Sequence, residues 1–151
     1  MLEDGTLLNE GAATLQWIAD AAPESGLAPA AGTTARYVLI NWLNYLSSEL
    51  HASYAPLFNP KLDDEARAAQ KARLATKFEY IVKSLKGDFL QPSGFSVADS
   101  YMYIILSWSG YVGVELPAEL QAYSAHIKAL PFVAAAHAAM AAAPHPVAVA
   151  H

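Results

Sequence analysis

The histidines are the side chains of this sequence best suited to acid–base or metal chemistry, because the chain has five of them and no cysteine. Without cysteine the chain has no disulfide, thiolate ligand or thiol nucleophile. No H-E-x-x-H pattern is present, so no metal site is predicted. His145 and His151 lie in a proline-containing tail and are expected to be solvated. His51 ends the run Ser47-Ser48-Glu49-Leu50-His51, and two interpretations stay open for it: a helical histidine near a negative helix end, or a site residue.

Ser96 and Asp99 have the spacing of a capping box, in which two backbone amides at a helix start are satisfied reciprocally. The Ser96 side chain can accept from the amide of Asp99, and the Asp99 carboxylate can accept from the amide of Ser96. Residues 100–112 (SYMYIILSWSGYV) are apolar around most of the helix that follows. The pattern therefore predicts a structural N-cap on a central, buried helix.

Aromatic residues are unusually frequent on two predicted helices. Trp42 and Tyr45 fall on a long helix with Tyr37, and the central helix carries Tyr101, Tyr103, Trp108 and Tyr111. Aromatic residues at helical spacing usually belong to the core. The other interpretation is a pocket between helices for a flat apolar ligand.

Composition restricts the class of protein. A chain of 151 residues is one domain, or one domain with a remnant of another. The net charge is −5 and the nine Lys and Arg are scattered, so nucleic-acid binding is not expected. No signal peptide pattern is seen. Within residues 89–114 the longest unbroken apolar run is too short to span a membrane. We expect a soluble, cytoplasmic protein that is not bound to a membrane.

The first part of the chain shows a strand pattern and then a helix pattern. Thr6-Leu7-Leu8 resembles a short strand, although no second strand pattern follows it. A helix is expected over residues 10–21, with Ala13, Trp17 and Ile18 on its apolar side.

The rest of the chain predicts an all-α bundle. After a linker-like stretch (23–32), Thr33 or Thr34 can cap a long helix that runs to about Leu57. A helix with an acidic first turn follows and is expected to end at Gly87. The remaining predicted elements are the central helix (96–111), two shorter helices (118–129 and 132–142) and a tail without helical signal (144–151).

Several separated motifs carry a family resemblance. They are Leu7-Leu8-Asn9-Glu10-Gly11, Ile18-Ala19-Asp20, Arg36-Tyr37, Trp42-Leu43-Asn44-Tyr45, Ser48-Glu49-Leu50-His51, Pro56-Leu57-Phe58, Phe95-Ser96-Val97-Ala98-Asp99, Trp108 and Leu130-Pro131-Phe132-Val133. In this order they resemble the glutathione S-transferases, most closely the bacterial beta class. The match fails only in about the last ten residues.

The resemblance implies a division of the chain. Residues 1–22 look like the last strand and helix of a thioredoxin-like domain, which would explain the isolated strand pattern. Residues 23–32 would be the linker, 33–143 the C-terminal helical domain of the family, and 144–151 a tail. In the family, the residue that activates the sulfur and a cis-proline that holds glutathione belong to the part preceding residue 1.

The resemblance also implies glutathione as a co-substrate, with no metal. Glu10 and Gly11 would hold its γ-glutamyl end, a carboxylate taking the α-ammonium and helix-start amides the α-carboxylate. The other interpretation of Glu10 is an acidic residue of a first helical turn. Asn44 and Glu49 match polar residues that the neighbouring subunit offers to this site.

The electrophile side of the site is implied in the same way. His51 matches a histidine near the sulfur, in an auxiliary catalytic role. The family has a lysine after this histidine, whereas this chain has Ala52. Trp108 and Tyr111 fall where the family lines its pocket for the electrophile.

Three interpretations of function follow. The first is a glutathione transferase acting on small apolar electrophiles as a homodimer, inactive or weak as this isolated chain. The second is a non-catalytic helical module, whose uncovered Trp17 and Ile18 would bind a ligand or a partner chain. The third is a truncated gene, a misassigned start codon or an excised piece.

Overall fold

The computed structural model describes residues 1–143, and the tail predicted for 144–151 lies outside them. The prediction of an all-α fold is confirmed. The helices are α1 (Gly11–Ala21), α2 (Thr34–Tyr45), α3 (Ala52–Tyr54), α4 (Asp64–Ser84), α5 (Val97–Ser107), α6 (Ser109–Val112), α7 (Ala118–Ala129) and α8 (Pro131–Ala142), with 3₁₀ turns at Pro23–Ser25 and Ala55–Phe58. No helix of the described residues has the length and apolarity needed to cross a bilayer.

The long helix predicted after the linker forms, but it is not α-helical throughout. The Thr33 side chain accepts a hydrogen bond from the Arg36 amide and caps α2. A π-helical turn, Leu46–His51, then joins α2 to α3 without a break. Such turns often occur at functional sites.

The core is built around α5, which packs against α1, α2, the π-helical turn and α7. The helices α2, α4, α5 and α7 and the π-helical turn bury apolar side chains at helical spacing. The fully buried ones include Leu39, Leu43, Leu46, Leu50, Leu74, Ile81, Met102, Ile105, Leu106 and Leu120. The prediction of a central helix is therefore confirmed.

The predicted capping box is present at the start of α5, and it is larger than two residues. Asp99 is fully buried. One carboxylate oxygen accepts from the Ser96 amide and the Ser96 hydroxyl, each at 2.8 Å. The other accepts from the Leu90 amide at 2.8 Å and the Tyr123 hydroxyl at 2.7 Å. Burial and the neighbouring Asp99 carboxylate raise the pKa of Tyr123 far above its ordinary value.

An ion pair fastens α1 to α2. The buried Arg36 guanidinium donates to both carboxylate oxygens of Asp20, at 2.8 and 2.6 Å, and to the Pro29 carbonyl at 3.0 Å. These hydrogen bonds hold the pKa of Asp20 below its usual value. The bidentate contact joins Asp20, before the linker-like stretch (23–32), to Arg36, after it, and so restrains both ends of that stretch.

Two details of the predicted elements are wrong. Thr6-Leu7-Leu8 forms no strand, because no described segment pairs with it. The fourth helix ends at Ser84, before Gly87. The apolar side predicted for α1 is uncovered within the described residues, as the second interpretation expects: Trp17 is 46% and Ile18 44% exposed, whereas Ala19 is buried against the bundle.

We predict that Asp99→Asn lowers the free energy of unfolding by about 3 kcal/mol. An amide nitrogen in place of one oxygen cannot accept from the two donors that face it, and hydrogen bonds to a charged group are worth about 1.5–3 kcal/mol each. Urea denaturation followed by circular dichroism measures the change.

Asp63→Asn is the matched control, because Asp63 caps α4 at an exposed position by accepting from the Ala66 amide at 2.8 Å. Asn is as good an N-cap as Asp, so this variant should stay within about 0.5 kcal/mol of the wild type. Equal effects of the two substitutions would show that the buried network adds nothing to ordinary capping.

Candidate functional site

His51 is the most chemically versatile side chain that the fold leaves exposed beside a cluster of aromatic rings. It is the last residue of the π-helical turn. Its Nδ1 lies 2.8 Å from the hydroxyl of Tyr101, on α5. Its ring meets the indole of Trp108 edge to face, with centroids 4.7 Å apart. The structure therefore brings His51 and Trp108 into contact, and the roles that the resemblance implies for them stay predictions.

Further aromatic rings surround the pair of His51 and Trp108. The ring of Trp108 contacts Tyr54 and Phe58, each with centroids 5.9 Å apart and nearly perpendicular planes. Phe58 is half exposed, whereas Tyr54 is fully buried. We call the surface formed by His51, Phe58, Tyr101 and Trp108 the aromatic cleft. Edge-to-face packing of this kind holds rings in fixed orientations, which suits a flat apolar ligand.

Tyr54 supports the aromatic cleft from its buried side, where its ring contacts Trp108. Its hydroxyl lies 2.5 Å from the hydroxyl of Ser109, the first residue of α6. Burial raises the pKa of Tyr54 to about 12, since the phenolate would lose its hydration. This contact fixes the short helix that continues from Trp108.

Asn44 and Glu49 lie on a different side of the long helical segment. Glu49 is exposed and forms an ion pair with Lys77, on α4, whereas His51 faces α5. Asn44 is also exposed, and its carbonyl accepts from the Ser48 hydroxyl at 2.9 Å. Both side chains are accessible to another molecule. Their predicted role in binding glutathione across a subunit boundary stays a prediction.

Glu10 and Gly11 form the start of α1. The Glu10 carbonyl accepts from the amides of Ala13 and Thr14, at 3.1 and 2.9 Å, and so begins the helix. The Glu10 carboxylate makes no hydrogen bond within the described residues and is exposed. A free carboxylate beside helix-start amides is compatible with the predicted contacts to an amino acid end of a ligand. That role, too, stays a prediction.

Tyr111, which the sequence grouped with Trp108, is 84% exposed. No ring contact joins the two in the part of the chain that the structure describes. The cleft instead includes Tyr101, which the sequence placed only among the aromatic residues of the alternative pocket, and Phe58, which sequence reasoning left out of the site. The spacing of Tyr101 and Trp108, seven residues or about two helical turns, could have indicated that Trp108, at the C-cap of α5, lies on the same side as Tyr101.

Comparisons with known proteins agree on one family name. The chain is 37% identical over 117 residues to the glutathione S-transferase GstA of Escherichia coli O157:H7, covering 77% of this chain and 58% of that protein. It spans about three fifths of the length of the curated relatives it matches. No protein-family model matches the chain.

Two solved structures extend the likeness to the fold. A sphingomonad glutathione S-transferase complexed with glutathione is 42% identical, with a TM-score of 0.85, over 94% of this chain and 72% of that one. The beta-class glutathione S-transferase of Sphingomonas chungbukensis is 39% identical, with a TM-score of 0.83, over 91% and 70%.

We predict that Tyr54→Phe weakens the alkaline sensitivity of the fold. The pKa of Tyr54 is raised in the folded state, so its contribution is complete below the unfolded value near pH 10 and is lost as the pH rises towards about 12. Between these values the variant should lose about 2 kcal/mol less unfolding free energy than the wild type. Urea unfolding at pH 9 to 12 measures this.

Tyr111→Phe is the control, because the Tyr111 hydroxyl is exposed and its removal changes no buried group. The Tyr54 account fails if both variants follow the wild-type pH dependence.

Proposed function

We propose that this chain, which belongs to the glutathione S-transferase family, contributes the aromatic cleft to a site that joins the thiol of glutathione to a small apolar electrophile. The observation that carries the proposal is the contact of His51 with Trp108 and Tyr101. It sets one hydrogen-bonding nitrogen beside a wall of aromatic rings. The glutathione sulfur needs a hydrogen-bond donor, and the apolar acceptor needs an aromatic surface next to it.

The proposed reaction is a nucleophilic substitution or addition by the glutathione sulfur. With a chloronitrobenzene, the thiolate attacks the ring carbon that bears chlorine, a carbon–sulfur bond forms and chloride leaves. The free ring nitrogen of His51 donates a hydrogen bond to the thiolate and so stabilises it. Phe58 and Trp108 hold the aromatic acceptor next to the sulfur. The two reactants are then already oriented for attack and need not meet by diffusion.

Glutathione itself is proposed to bind through residues at two places. The Glu10 carboxylate takes the α-ammonium of the γ-glutamyl end, and the Gly11 amide at the start of α1 faces its carboxylate. Asn44 and Glu49 are offered to the site of a second copy. The sequence has no cysteine that could activate the glutathione sulfur, and His51 supplies only one hydrogen bond to it. We therefore propose weak turnover for the isolated chain.

The proposed second copy is a homodimer partner. Tyr80, on α4, is 45% exposed and packs against Tyr45 with ring centroids 4.6 Å apart. Trp42 lies 6.3 Å from Tyr80, and the exposed Val38 sits one turn before it on α2. Asn44, the residue proposed to reach the partner's site, lies on the same helix, α2. A self-complementary face of this kind favours a two-fold dimer.

We predict that Trp108→Leu weakens binding of S-(2,4-dinitrophenyl)glutathione about tenfold, measured by isothermal titration calorimetry. The substitution keeps apolar bulk against Tyr54 but removes the ring that faces the dinitrophenyl group, and such contacts are worth about 0.5–1.5 kcal/mol beyond their area.

Trp17→Leu is the matched control, because Trp17 is an exposed tryptophan on α1, outside the aromatic cleft. It should bind the conjugate as the wild type does. Absence of binding by the wild-type chain, or equal affinity of the Trp108 variant, would exclude the aromatic cleft as the electrophile site.

We predict that Tyr80→Glu converts a dimer into a monomer in analytical ultracentrifugation, because a charge placed in an apolar face must be desolvated on association. Met140→Glu, on α8, changes an apolar residue elsewhere that is more exposed than Tyr80, and it should leave the dimer intact. A wild-type monomer at high concentration would refute the proposed association.

A further inference from the structure

The hydrogen bond between His51 and Tyr101 determines which nitrogen of the imidazole carries the proton. In a neutral imidazole one ring nitrogen donates and the other accepts. Nδ1 of His51 lies 2.8 Å from the Tyr101 hydroxyl. Within residues 1–143, the imidazole ring makes no other hydrogen bond to a side chain. The state of Nδ1 therefore decides what Nε2 can do.

A phenol is a good donor and a weak acceptor, because its oxygen lone pair is delocalised into the ring. An unprotonated imidazole nitrogen is a strong acceptor. The favoured arrangement of this pair is thus a Tyr101 O–H that donates to Nδ1, which leaves the proton of the neutral ring on Nε2.

We propose that Tyr101 is a positioning residue that holds neutral His51 as the Nε2–H tautomer, so that Nε2 presents a hydrogen-bond donor to the sulfur in the aromatic cleft. This inference rests on the proposed function for the identity of the acceptor, a thiolate. The tautomer itself follows from the contact alone. A hydrogen bond to one ring nitrogen commonly fixes the role of the other.

The surroundings hold both partners of this bond in place. Tyr101 lies in α5, two residues after the Asp99 carboxylate that fastens the start of that helix. His51 closes the π-helical turn, and its ring also rests against Trp108 at a centroid distance of 4.7 Å. Two contacts from different directions leave the imidazole little freedom to rotate.

A second pair in the same protein gives an internal comparison. Tyr103, also on α5, has its hydroxyl 2.8 Å from Nε2 of His137, on α8. The same reasoning assigns the proton of neutral His137 to Nδ1. The two histidines should therefore show opposite tautomers, although both are exposed and both bond a tyrosine.

Long-range ¹H–¹⁵N correlation spectra of the ¹⁵N-labelled chain, recorded at alkaline pH where imidazoles are neutral, distinguish the tautomers directly. For His51 we expect a pyrrole-like shift at Nε2 and a pyridine-like shift at Nδ1, and for His137 the reverse. The spectrum of Tyr101→Phe should show His51 shifts averaged between the two forms. The hydrogen bond favours one tautomer about fivefold or more, and this preference is lost with the hydroxyl.

Tyr103→Phe is the matched control, since it should average the ring-nitrogen shifts of His137 between the two tautomers and leave those of His51 unchanged. A wild-type His51 with its proton on Nδ1, or a Tyr101→Phe spectrum identical to the wild type, overturns the inference. Addition of glutathione then separates this result from the proposed function. If Nε2 is protonated but its resonance does not move with glutathione, the tautomer assignment stands and the proposed acceptor is wrong.

Discussion

One buried carboxylate determines where the central helix of this bundle begins. Asp99 is fully enclosed, yet each of its oxygens accepts two hydrogen bonds. The donors come from three places: the start of α5, the preceding loop at Leu90, and Tyr123 on α7. A buried charge is tolerated only when its hydrogen-bonding capacity is used, and the positive end of the α5 dipole adds to this compensation. The carboxylate therefore connects the start of α5 with the loop before it and with α7.

Everything proposed for the site depends on α5 being held in this way. The helix carries Tyr101 on the side of the π-helical turn and Tyr103 on the side of α8, so each face presents one phenol to one histidine. Trp108, just past its end, receives the ring of His51. A shift of α5 along its axis would break both the hydrogen bond between Tyr101 and His51 and the edge-to-face contact of His51 with Trp108. Stability and the geometry of the aromatic cleft thus share one origin.

Local patterns in the sequence predicted most of the fold, because helix caps, prolines and apolar spacing are local signals. Asp99 and its cap belong to this group. The π-helical turn Leu46–His51 could not be predicted, since the apolar spacing across it stays near 3.6 residues. Thr6-Leu7-Leu8 has strand composition but no partner, and Trp17 lies on a face of α1 that the described residues do not cover. The bond of Tyr101 joins residues fifty positions apart, beyond the range of any local pattern.

Hydrogen exchange of individual amides tests the central claim most directly, namely that the Asp99 network and α5 form one unit. The amides of Leu90 and Ser96 donate to the carboxylate from outside the helix. They should exchange only with global unfolding, with the same opening free energy as the most protected amides of α5. Exchange of these two amides through a much cheaper local opening, while α5 stays protected, would contradict the account.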